Sequence, residues 1–153
     1  MLIFKLESQT TRIFETLQTR VPLDIYKSLF QIILTDNGHE FLDVSNIECI
    51  HSTSEYVTHL FFCDPHASSQ KGSIEKNHEF IRYILPKGSS FKNITHEDCN
   101  LIMNNINSLC RDSLNGKSPY EAMLFLCYEA ILKLLNCYYI EPYNVTFSNN
   151  LLK

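Results

Sequence analysis

Apolar and polar positions follow two different periods along this chain, and each change of period marks an element. Leu2 to Leu6 is a short apolar run that predicts a strand. Residues 10–17 and 24–30 carry helical spacing, with Pro22 interrupting because proline cannot continue a helix. Ile32 to Thr35 predicts a second strand that runs into Asp36. Residues 44–58 are polar and irregular and predict a surface loop. A third strand is expected over 58–63, closed by Asp64-Pro65, and 65–71 is a further loop. From Gly72 onward, Ile74, His78, Ile81 and Leu85 recur at i, i+4, i+7 and i+11, the stripe of a helix. Within that stripe His78 is expected to pack.

Two helix starts are written explicitly. Thr95-His96-Glu97-Asp98 resembles a capping box with Asp in the usual Glu position, and opens a helix to about Cys110. Ser118-Pro119-Tyr120-Glu121 places Ser at the N-cap, Pro at the first helical position and Glu at the third. A strongly apolar helix to about Asn136 follows. No internal repeat, low-complexity tract or linker is visible. The pattern is α/β.

Composition narrows this picture. A chain of 153 residues that is 44% hydrophobic and 12% aromatic suits one folded domain rather than disorder. The formal net charge of −4 argues against a stand-alone sequence-specific DNA binder, which needs Lys and Arg against phosphates. Six cysteines, at 49, 63, 99, 110, 127 and 137, form no CxxC pair and no regular framework. With no signal peptide or long apolar run, they read as free thiols in a reducing cytoplasm, and no membrane partner is expected. Asn93-Ile94-Thr95 and Asn144-Val145-Thr146 match the glycosylation pattern, by coincidence in that compartment.

The candidate chemistry lies at the end of the second strand. Asp36 there puts a carboxylate at the sheet's carboxyl edge, where α/β proteins place their sites. Asn37-Gly38 then predicts a sharp turn using φ > 0. A second carboxylate, Glu75, falls in the first turn of the next helix, a position that the helix dipole alone also explains. Cys49, His51, His59, Cys63 and His66 are zinc-compatible residue types, but their spacings match no zinc module.

Several motifs in order carry a resemblance. Leu34-Thr35-Asp36-Asn37-Gly38-His39-Glu40-Phe41 is followed by Phe61-Phe62-Cys63-Asp64-Pro65. Next come Gln70-Lys71-Gly72-Ser73-Ile74-Glu75-Lys76-Asn77-His78 and Leu85-Pro86-Lys87-Gly88. Asn107-Ser108-Leu109-Cys110-Arg111 and Leu114-Asn115-Gly116-Lys117-Ser118-Pro119-Tyr120-Glu121 complete the set. Together they resemble an insertion-sequence transposase of the insertion-sequence family thirty type.

The resemblance implies an integrase core with a ribonuclease H-like mixed sheet and flanking helices. It implies residues 1–115 as a partial core and 116–153 as a helical extension packed on it. The family holds two divalent cations, Mg2+ or Mn2+, with three acids, and Asp36 and Glu75 match the second and third. In-line displacement at phosphorus uses such a pair, about 4 Å apart, at the attacking and leaving oxygens. Hard cations take oxygen ligands, which suits carboxylates. Lys71, Lys76, Arg82 and Lys87 surround Glu75 and are candidate DNA-phosphate contacts, although each is also an ordinary solvated residue.

The first acid has no match, and the strand at 2–6 corresponds to the third of the fold. The expectation is an amino-terminally truncated core that lacks its first two strands and is inactive alone. The expected partners are DNA, as transposon ends and target, and full-length transposase or a second copy. A non-catalytic protein that pairs with full-length transposase, or a decayed reading frame, are the competing readings.

Overall fold

The computed structural model describes residues 1–3, 11–35, 38–50, 52–64, 72–126 and 129–152. Among these are seven α-helices and one two-stranded sheet, a mixed α/β content. The chain divides into two compact units, residues 6–71 and residues 1–5 together with 72–153.

In the unit of residues 6–71, helix α1 (Thr11–Arg20) ends where Pro22 takes the cap position of α2 (Leu23–Leu29). Leu17, Val21 and Tyr26 are buried here. Strand β1 (Ile32–Thr35) pairs in parallel with β2 (His59–Phe62), in the register Ile32 to His59 through Thr35 to Phe62. A parallel pair needs a crossover, and the segment between the strands supplies it. That crossover is not wholly irregular, which corrects the loop expected over 44–58. It holds α3 (Val44–Glu48), whose Ile47 is fully buried, and a tight reversal bridged at Cys49 and Tyr56 with Ser54 at φ 55°. Glu48 ties α3 to the sheet. Its carbonyl accepts from the N–H of Val57 at 2.8 Å, and its carboxylate from the N–H of Leu60 at 2.8 Å.

Paired residues in this register share a face. Thr35 and Leu60, on one face, are buried, although Phe62 at the end of that face is 40% exposed. On the other, Ile32 (65% exposed), Leu34 (41%) and Phe61 (53%) are open. The sheet therefore has one packed face and one uncovered apolar face.

The second unit is helical. Helix α4 (Gly72–Ile84) and α5 (His96–Ser108) share a core of Ile84, Ile102 and Ile106. Phe80, Ile81, Leu85, Phe147 and Leu151 pack against it, as do Met1 and Ile3. Met1 to Ile3 are not in a strand, and the remainder of the strand expected over 2–6 lies outside the described residues. Helix α6 (Pro119–Leu126) and α7 (Glu129–Leu134) follow, with 127 and 128 outside the described residues.

Both capping boxes form. The Thr95 hydroxyl accepts from Asp98 N–H at 3.1 Å, and the Asp98 carboxylate accepts from Thr95 N–H at 2.8 Å. Ser118 and Glu121 reciprocate in the same way, at 3.2 and 2.7 Å. Helix α7 closes in a Schellman motif. Asn136 adopts φ 54°, Cys137 N–H reaches Leu132 carbonyl at 2.7 Å, and Asn136 N–H reaches Lys133 carbonyl at 3.1 Å. The apolar sequence of α6 is not matched by burial, because Phe125 and Leu126 are exposed.

Polar side chains on α5 organise the rest of this unit. Asn104, Asn105, Asn107 and Ser108 are all buried. Asn104 donates to Asn136 carbonyl at 3.0 Å and accepts from Tyr138 N–H at 2.9 Å. Ser108 accepts from Ile140 N–H at 2.9 Å, and Asn105 from Thr146 N–H at 2.8 Å. Asn107 both donates to and accepts from the Met1 backbone at 2.8 Å. Buried amides require partners; segment 136–146 supplies them for Asn104 and Asn105, and Met1 for Asn107.

Candidate functional site

The carboxyl ends of both strands lie at one edge, since the strands are parallel. The Thr35 carbonyl accepts from Cys63 N–H at 2.7 Å, which fixes the β1 end beside the β2 end. Asp36 follows Thr35 directly and, like Asn37, lies outside the described residues. Asp64, at the same edge of β2, is exposed. Gly38 corrects the expected turn geometry. It sits at φ −66°, ψ 144°, an extended conformation open to any residue, and caps a 3-10 turn over His39–Phe41.

Glu75 is exposed in the first turn of α4, where the free N–H groups favour a negative charge. Arg82 is also exposed. Seven residues on from Glu75, it shares that face within roughly 20°, about 10 Å along the axis. Lys76 is exposed, donates to Glu79 at 2.7 Å and stands 5.5 Å from the centre of the Phe80 ring. The hydrogen bond to Glu79 raises its pKa from the ordinary lysine value. Lys87 is exposed beyond the helix, beside Gly88 at φ 92°. Lys71 lies outside the described residues. His78 is exposed, so the packing expected for it does not occur, although Ile81 and Leu85 of the same stripe do enter the core.

One residue without a role in the sequence reading is central to this helix. Arg111 donates to the Asn77 side chain at 3.0 Å, and its guanidinium carbon stands 5.4 Å from the Phe80 ring centre. Burial lowers its pKa from the ordinary arginine value. The loop that presents it is fixed by Arg111 N–H to Lys117 carbonyl at 3.0 Å and Gly116 N–H to Arg111 carbonyl at 3.1 Å. Asn115 and Gly116 adopt φ 55° and 77° there. Cys110-Arg111 was visible as a motif, but its contact with α4 depends on packing that spacing does not encode.

As a metal ligand, Glu75 is an exposed oxygen donor of the kind hard cations take. Among the described residues no group of three or more His, Cys, Asp or Glu gathers as a metal site. His51 and His66 of the zinc-compatible set lie outside those residues. No helix among the described residues is long and apolar enough to cross a membrane.

No protein-family model matches the chain, and no solved structure matches it. Curated proteins do. The transposase of insertion sequence IS4351 from Bacteroides fragilis is 30% identical over 62% of this chain and 28% of its own length. That of IS1086 from Cupriavidus metallidurans is 33% identical over 42% of this chain and 19% of its own. The transposase InsI of IS30A from Escherichia coli K12 is 30% identical over 66% of this chain and 24% of its own. The chain thus spans about a quarter of the length of the curated relatives it matches. Over that part of its length, it is related in sequence to the transposases of insertion sequences, the IS30 type among them.

Proposed function

We propose that this chain carries part of the catalytic core of a transposase with a ribonuclease H-like fold, working on DNA in the cytoplasm. The partial match to insertion-sequence transposases is the observation that carries this reading, and the order of the motifs around Asp36 and Glu75 supports it. Residues 1–115 are the integrase-type part and 116–153 the helical extension. Asp36 and Glu75 are two of the three acids that hold Mg2+ or Mn2+. The bound cations supply the charge that favours displacement at phosphorus.

The chain's own residues then have separate tasks. Glu75 offers oxygens from the first turn of α4. Arg82, on the same helical face, and Lys71, Lys76 and Lys87 contact the phosphates of transposon ends and target.

A second reading rests on the uncovered sheet face of Ile32, Leu34 and Phe61. An apolar face of that kind suits pairing with full-length transposase or a second copy.

Titration with Mn2+, followed by paramagnetic broadening of backbone amide signals, tests the metal site. Signals flanking Asp36 and those flanking Glu75 are expected to broaden at the same Mn2+ concentration. Glu75→Ala and Asp36→Ala should each weaken both effects. Broadening confined to one of the two positions would remove the shared site. Strand nicking by the purified chain that survives in both variants would remove the two acids from the cutting site.

A further inference from the structure

Beside the first turns of α4 runs a cleft of about 320 Å³, lined by Lys76, Phe80, Cys110, Arg111, Asp112 and Ser113. Two cations flank one aromatic ring in it, since Lys76 and Arg111 stand 5.5 and 5.4 Å from the centre of Phe80. Among the described residues, no carboxylate forms an ion pair with Arg111. Its one side-chain partner there is the neutral Asn77 amide, and its Nε is buried without a partner. A guanidinium has five donors in a fixed fork, so most of its capacity is uncommitted. Arg111 is partly buried, so its guanidinium is held in place by the protein and still open to a ligand.

We propose that this cleft binds a phosphate of the nucleic-acid backbone, with Arg111 as the fixed fork and Lys76 as the movable charge. The proposal rests on the reading of the chain as DNA-acting and adds Arg111 to its contacts. Asn77 and the Phe80 ring hold the guanidinium in place before the ligand arrives, which limits the ordering cost of binding. Lys76 is held only by an exposed pair with Glu79, an interaction worth little and readily exchanged for a phosphate. Ser113 adds a hydroxyl to the lining, and the Asp112 carboxylate there opposes an anion, so binding relies on the two cations.

The test measures equilibrium binding of a labelled DNA duplex to the full chain across a series of salt concentrations. Arg111→Gln and Lys76→Gln are each expected to weaken binding several-fold, and to lower the slope of log affinity against log salt by about 1. Arg111→Lys, which keeps the charge and loses the fork, should recover the slope but only part of the affinity. Lys133→Gln, paired with Glu129 on α7, serves as the control and should leave both unchanged. Lys76 is exposed, so its variant reports on the cleft even if Arg111→Gln unfolds. Wild-type DNA binding with unchanged affinity and slope in Lys76→Gln and in folded Arg111→Gln would overturn the cleft and the Lys76 contact, and leave the rest of the DNA-acting reading intact. A wild-type chain that binds no duplex at low salt would overturn both.

Discussion

The two units of this chain bury their polar groups differently. In residues 72–153, Asn104, Asn105, Asn107, Ser108 and Ser118 are buried, and each makes hydrogen bonds to a defined backbone or side-chain partner. In residues 6–71, the buried polar side chains among the described residues are Thr35 and Thr58, and the sheet keeps an apolar face in solvent. The helical unit uses side-chain amides where a sheet would use strand pairing. The unit of residues 6–71 uses strand pairing but has only two strands among the described residues, below the number that is independently stable without further packing. Fixed geometry therefore belongs to the helical unit, which carries Glu75 and Arg111.

The contrast is broken most directly at Asn104. Asn104→Ala removes a donor and an acceptor from a fully buried position and leaves Asn136 carbonyl and Tyr138 N–H unpaired. A loss of about 3 kcal/mol is expected in chemical denaturation, from two unsatisfied backbone groups. A loss below about 1 kcal/mol would show that segment 136–146 is held by other means.

A smaller effect sharpens the role of the caps. Backbone hydrogen bonds from Thr95 and Ser118 hold the Asp98 and Glu121 carboxyls below their ordinary pKa values. A depressed folded pKa means that the unfolded chain binds more protons, so this stabilisation is complete above the ordinary carboxylate range. It is lost as pH falls through the lower, folded value. Asp98→Asn, which keeps an acceptor and loses the charge, should cost about 0.5 kcal/mol at neutral pH, the usual worth of a carboxylate in a helix's first turn. Its deficit should vanish in acid below both values. A deficit independent of pH would assign the effect to something other than the carboxylate.

The smallest effect is expected on the open sheet face. Leu34→Lys should change unfolding free energy by less than about 0.5 kcal/mol, as for other exposed positions. It should also reduce self-association in sedimentation experiments, because a charge on an uncovered apolar face opposes pairing. A large destabilisation would mean that the face is packed after all.

Much of this architecture was legible in advance. The strand at 32–35, the helix from Gly72 and both capping boxes follow from local chemistry, and local chemistry is what a sequence displays. Helix α3 was not, because five residues carry too little periodicity to stand out from a polar loop. The amide row of α5 was not either. Asn is a poor helix former, usually exposed, and nothing in Asn104-Asn105-Ile106-Asn107 names the distant backbone groups that would pair with it. Glu75 could be placed in a first turn from its spacing, whereas Arg111 acquires its position from a neighbouring helix.

The way segment 136–146 hangs from α5 also sets which sequences it can carry. Tyr138, Ile140 and Thr146 are gripped through their amide hydrogens, a feature every residue but proline possesses. The attachment is thus nearly blind to side-chain identity along the strap, and the information that sets its alignment is stored in the helix. Homologous chains can diversify this ribbon at its exposed positions, so long as those three places, and the helix-closing pair 136 and 137, never become imino acids.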